Sequence, residues 1–121
     1  MKTFSFEKLK VWQKSRYLAV RVYKFTKHFP EDERFGLVSQ MRRSVVSISS
    51  NIAEGSGRHN SKDKARFTEI AFGSALELLN QSIISSDLEY IKKDDYLNIR
   101  KEISEITAML DGLRKSQLKT K

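Results

Sequence analysis

Lys10, Lys14, Tyr17, Arg21, Lys24 and His28 follow one another at steps of four, three, four, three and four. On a helix that spacing puts all of them on one face. A row of cations with an aromatic ring among them can follow a phosphate backbone and stack a base. A plain solvated lysine face has the same spacing, and the scarcity of acid is what argues against it. Residues 1–29 hold eight Lys/Arg against Glu7 alone, a net +7 within a chain whose formal charge is +8. A field polarised in this way attracts polyanions.

A second constellation joins Arg42 and Arg43 to Asn51, Glu54 and Glu77. Arg43, Ser47, Asn51 and Glu54 share a helical face at steps of four, four and three. Glu77 falls between Ser74 and Leu78, beside an apolar stripe, where a carboxylate is costly unless it is paired and hydrogen-bonded. The expectation is a structural polar network in which an arginine of the pair meets Glu77 or Glu54 across the fold and fixes helix register. Arg42 and Arg58 are also candidate phosphate contacts beside the cations of the first helix. Arg58 lies in Gly55-Ser56-Gly57-Arg58-His59-Asn60-Ser61-Lys62. This run lacks the strand and the Gly-Lys-Ser/Thr of a phosphate-binding P-loop, so it reads as an interhelical loop.

Catalytic and metal chemistry find little footing. There is no cysteine, which removes thiolate zinc sites, disulfides and thiol nucleophiles. Di-iron bundles need Glu-x-x-His motifs, and the residues three before His28 and His59 are Phe25 and Ser56. No nucleophile elbow is present. Arg21 and His28 are similar in spacing to the Arg-x4–6-His motif of metal-independent HEPN-type ribonucleases, a pairing that also arises by chance. The expectation is a non-enzymatic chain with no metal and no cofactor.

The elements that must position these residues are helices. One proline, five glycines and many long polar helix formers argue against a turn-rich β fold. Four segments carry three- and four-residue apolar steps, over about 6–28, 35–54, 61–90 and 94–117. Ser5 is the expected cap of the first, Pro30 ends it, and Gly55-Ser56-Gly57 stops the second. In the second, Leu37, Met41, Val45, Ile48 and Ile52 form the core stripe among unusually many serines. The third carries two stripes. The surplus one, Phe72, Leu76, Leu79 and Ile83, is the expected oligomer interface. Gly73-Ser74 suggests a close packing contact, at a helix crossing or between subunits. The fourth repeats Ile99, Ile103, Ile106, Leu110 and Leu113 as a heptad seam, and 118–121 reads as a fraying end. Helices of matched length on short connections fold as an all-α, antiparallel, up-and-down four-helix bundle, a single domain over 1–121. No apolar run reaches the length of a membrane span, and no signal peptide is evident, so a cytoplasmic protein is expected.

The stretch Phe29 to Glu77 also resembles a family, the 23S ribosomal RNA intervening-sequence proteins. The matching residues are Phe29-Pro30, Phe35-Gly36-Leu37, Gln40, Arg42-Arg43, Val46-Ser47-Ile48, Ser50-Asn51-Ile52-Ala53-Glu54-Gly55, Gly57-Arg58, Phe67, Ala71, Gly73-Ser74 and Glu77. Leu9-x-Val11-Trp12 and Tyr90-Ile91 fit as well. Ser44 stands where alanine is usual, and Ser49 where proline is common, which leaves the second helix straighter. The resemblance implies small bacterial four-helix bundles that assemble as homo-oligomers, with a pentameric ring favoured. It implies no particular activity. Related bundles that accompany diversity-generating retroelements bind nucleic acid. RNA, with ribosomal RNA as the first candidate, or another nucleic acid is therefore the expected partner, beside the chain itself. Lys10, Lys14, Tyr17, Arg21, Lys24, Arg42 and Arg58 are the expected contacts. A protein–protein scaffold and the ribonuclease are the alternatives.

Overall fold

The apolar periodicities become four α-helices in the computed structural model, which describes residues 1–119: α1 Lys10–Thr26, α2 Leu37–Ser56, α3 Ser61–Asp87 and α4 Lys93–Lys119. Short 3-10 turns at Ser5–Lys8 and Glu31–Glu33 are the remaining helical structure, and no strand occurs among the described residues. Leu118 and Lys119 continue α4, while positions 120 and 121 lie outside the described residues.

Cross-helix partners show that neighbouring helices are antiparallel. Met41 and Ser47 of α2 meet Ser85 and Ser74 of α3, and Thr68 and Glu69 of α3 meet Gln117 and Arg114 of α4. Lys14 and Arg21 of α1 meet Glu105 and Glu102 of α4. As numbers rise on one helix they fall on the next. The packing order α1–α2–α3–α4, closed by α1 against α4, is the expected up-and-down bundle.

Each helix gives the core one stripe. Leu18, Val22, Met41, Val45, Ile48, Leu78, Ile99, Ile103, Ile106 and Leu110 are essentially sealed from solvent. On α1, Val11, Leu18 and Val22 turn inward, with Phe29 buried just beyond its end, while Val20 and Tyr23 are exposed. Ser15, Thr26, Ser82 and Ser85 are buried because each hydroxyl donates to the carbonyl four residues earlier, at 2.7–2.8 Å. That local bond removes the cost of burying a hydroxyl.

Several ends and glycines depart from the sequence reading. Ser5 does not cap the first helix. It opens the 3-10 turn, where the Glu7 carboxylate accepts from the Phe4 N–H at 2.8 Å, and α1 begins only after extended Leu9. Asn60 caps α3, its Oδ1 accepting from the Asp63 N–H at 2.8 Å. The end of α3 comes at Asp87, before Tyr90: Glu89 takes a left-handed φ of 61°, and the Tyr90 N–H reaches back to the Ser85 carbonyl at 2.9 Å. This is a Schellman-type ending built without glycine. The Gly55-Ser56-Gly57 run does end α2, at Ser56 with Gly57 as its cap. Within it Gly55 is still helical and buried, and a Cβ there would stand 2.8 Å from Phe67 Cβ, so it marks a close approach of α2 and α3. Of Gly73-Ser74, expected at a helix crossing or between subunits, Ser74 is buried against Ser47 of α2, while Gly73 is exposed with nothing inside the bundle within 4 Å of where its Cβ would be, so it marks no helix crossing within the bundle. Among the described residues no helix is long and apolar enough to cross a membrane.

Candidate nucleic-acid interface

The face of α1 that carries the basic row turns toward α4. There the Lys14 Nζ lies 3.0 Å from Glu105 Oε1, and Arg21 is bonded to Glu102. The row is therefore broken at its middle, which corrects the expectation of a continuous cationic track. Both pairs are half-exposed, so each contributes only about 0–1 kcal/mol to the fold. Tyr17 stays 66% exposed. Lys10 and Lys24 are exposed and make no ion pair among the described residues. The sequence reading weighed only the acids on the first helix. Asp95, Glu102 and Glu105 recur at steps of seven and three on the fourth, a helical face that could have been set against the basic row.

At the far end of α1 the row gains a cation that sequence reasoning missed. Arg21, Lys24, Phe25 and His28 line an open cleft of ≈570 Å3 with Tyr90, Ile91, Lys92 and Asp95, from the α3–α4 turn and the start of α4. The short connection between α3 and α4 carries Lys92 to the end of α1, and Asp95 is the one acid in the lining. Tyr90 is held in place: its ring packs 5.4 Å from that of Phe29, and its hydroxyl donates to Glu33 Oε2 at 3.0 Å. That hydrogen bond to a carboxylate, helped by desolvation, raises the Tyr90 phenol above its usual pKa.

The polar network on α2 differs from the expected one. Arg43 and Glu77 both stand exposed, and no ion pair joins them among the described residues. They share only the rim of an open hollow with Gln40, Ser44, Ser47 and Gln81. Glu54 pairs with Arg58, two residues past the end of its helix, at 2.8 Å. The α2–α3 seam is joined instead by a chain of small polar groups. Asn51 Nδ2 donates to the Ser47 carbonyl at 2.8 Å and to its hydroxyl at 3.0 Å, and Ser47 Oγ lies 2.8 Å from Ser74 Oγ. The reason is geometric. A step of 100° carries Glu77 away from Leu78 to the edge of the buried arc, where its carboxylate keeps its water.

Arg42 is tied down on the other side of α2. Its Nε donates to Thr26 Oγ1 at 3.0 Å, its Nη2 donates to the Tyr23 carbonyl at 3.3 Å, and the guanidinium lies 4.5 Å from the Tyr23 ring centroid. Arg58 lies 4.6 Å over the Phe67 ring. Of the expected oligomer stripe, Phe72 and Leu79 pack half-buried against the core and Ile83 is half-buried, leaving Leu76 open at 49%. The exposed large apolar residues of α3 are Ile70, Leu76 and Ile84, followed by Leu88 at its cap, so only Leu76 is shared with the expected stripe.

Residues 7–112 match the family described as 23S rRNA-intervening sequence protein. A crystal structure of a protein with unknown function from the S23 ribosomal protein family of Bacteroides thetaiotaomicron superposes with a TM-score of 0.78 at 30% identity, covering 87% of this chain and 98% of that one. No curated protein matches.

Proposed function

We propose, on the premise that this chain belongs to the 23S rRNA-intervening sequence protein family, that it is a non-enzymatic, self-associating bundle that binds RNA through phosphate contacts in a bacterial cytoplasm. The observation that carries this reading is the cleft where Lys24, His28 and Lys92 converge beside Arg21, with two aromatic rings and one facing acid. Ion pairs cancel charge for charge, so pairing Lys14 and Arg21 does not lower the net +8. The excess is carried by cations such as Lys10, Lys24 and Lys92, which supply the long-range attraction. Contacts of this kind position a backbone and read little sequence. Ribosomal RNA is the first candidate, and a pentameric ring would repeat the cleft and multiply weak contacts.

The test is a titration of structured RNA, such as a fragment of large-subunit ribosomal RNA, over a salt series. Binding should weaken steeply with salt, and a Lys24→Glu/Lys92→Glu variant should bind at least tenfold more weakly with a shallower slope. Binding insensitive to both would overturn the reading. One observation favours a second reading: Arg21 and His28 line the same cleft, as a ribonuclease pair would. Cleavage of that RNA, lost in His28→Ala, would establish it.

A further inference from the structure

A second hollow, of ≈610 Å3, lies on the outer face of α2 between α1 and the turn that precedes α2. Tyr23 of α1, Arg34 and Phe35 of the turn, and Val38, Arg42, Arg43, Val46 and three serines of α2 line it, with no Asp or Glu among them. Phe35 is 86% exposed, with the Arg34 guanidinium 5.2 Å from its ring centroid. Folding leaves so large a ring in water here although the core is well filled. The bonds that Arg42 makes to Thr26 and Tyr23 hold its guanidinium at the edge of the hollow, already oriented. Arg43 is exposed and without an ion pair among the described residues.

We propose that this hollow holds an unpaired nucleotide of an RNA strand, with its base on the Phe35 ring and its phosphate between Arg42 and Arg43. The proposal rests on the RNA-binding reading and adds that the RNA is single-stranded where α2 meets it. Charge selects the occupant. An apolar helix laid here would strip water from three guanidiniums and offer them no acid, whereas a nucleotide brings a π face for the ring and an anion for the arginines. Duplex RNA fits poorly, because its bases are stacked on one another and only a splayed base presents a free face. The volume lies inside the range of roughly 300–1,000 Å3 common for small-ligand sites.

The experiment uses the whole chain with a fluorescein-labelled single-stranded RNA of about 12 nucleotides and a duplex of the same length. The native chain should prefer the single strand. Phe35→Ala should weaken that binding roughly 5- to 100-fold, the range that base stacking supports, and leave duplex binding unchanged. Arg43→Ala should act in the same direction, and Lys24→Glu/Lys92→Glu should weaken both probes. Phe35 touches no core, so its thermal midpoint should not move; if it does, Arg43→Ala carries the test. Native affinity for the single strand in both Phe35→Ala and Arg43→Ala, with the cleft variant impaired, would overturn this proposal and leave RNA binding standing. Self-association lost in Phe35→Ala with RNA binding intact would overturn it too and make the hollow a protein contact. A native chain that binds neither probe would overturn both readings.

Discussion

Removing two acids should make the protein bind RNA more tightly. Glu102 and Glu105 each hold a cation of α1 against α4, and Glu102→Gln/Glu105→Gln releases Arg21 and Lys14 while keeping the side-chain shapes in the seam. The formal charge rises from +8 to +10 with the loss of two carboxylates. If each freed cation meets one phosphate of a single strand, the slope of log K against log salt steepens by about 0.7 per contact, or about 1.4 for both. Extrapolated from about 1 M to 0.1 M salt, that corresponds to roughly 25-fold tighter binding. The cost to the fold is small, since each half-exposed pair is worth about 0–1 kcal/mol against a typical stability of 5–15 kcal/mol. Fluorescence anisotropy at four or more salt concentrations gives the slope, and circular dichroism checks that the bundle is intact. A Glu69→Gln/Asp111→Asn variant adds the same charge by freeing Arg114 and Lys115, neither of them an expected RNA contact and both away from the basic row of α1. If the seam variant gains nothing, or gains no more than this control, the basic row of α1 does not contact RNA and the reasoning fails.

The remaining predictions concern the fold that holds the surface. Gly55→Ala should destabilise by about 1–3 kcal/mol in urea titration, because its Cβ would stand 2.8 Å from Phe67 Cβ and the helices must part. Gly73→Ala should stabilise by about 0.5–1 kcal/mol, since nothing lies within 4 Å and alanine is the better helix former; a loss there would point to a close contact outside the bundle. Glu89→Gly should raise the thermal midpoint, with a gain of about 1 kcal/mol from relieving the left-handed φ of 61° at the end of α3. Tyr90 donates to Glu33 only while neutral, so its raised pKa means that this contribution is present below the unfolded phenol pKa near 10 and is lost as pH rises through the folded value. The stability gap between the native chain and Tyr90→Phe should therefore be open at pH 8 and close toward pH 11.5, and a gap constant across that range would show that the bond contributes nothing.

The core was legible because burial has a period. Met41, Val45, Ile48 and Ile52, or Ile99, Ile103, Ile106 and Leu110, recur at helical steps that no other structure explains, and all of them are buried. The misreadings have a common cause: each depended on what another segment brings. Gly55 and Gly73 are the same residue type with opposite surroundings: a Cβ at Gly55 would meet Phe67 and the Lys64 carbonyl, and one at Gly73 would meet nothing within 4 Å. The Glu89 ending was hidden because glycine, the usual sign of a left-handed cap, is absent. Glu77 was assigned a buried partner by sequence neighbours, although the serines of α2 and α3 had already closed the seam without it.

The same dependence reshapes the candidate site. A row of cations on one helix is a statement about local spacing, but the potential outside the protein is set by what remains after the neighbouring helix has been added. Here α4 answers the middle of the row with Glu102 and Glu105, and the α3–α4 turn extends its far end with Lys92. Charge is thereby moved from the centre of α1 toward the end of the bundle, where Tyr90 is fixed by Glu33 and Phe29 and the cleft has a rigid wall. Arg42, tied to Thr26 and Tyr23, is likewise fixed before any ligand arrives, which lowers the ordering cost of a contact. Two preorganised cationic hollows, on the α4 and α2 sides of α1, are a better fit to a bent or partly single-stranded RNA than to a straight duplex, because a rigid rod tracking the row would first meet the cancelled Lys14 and Arg21.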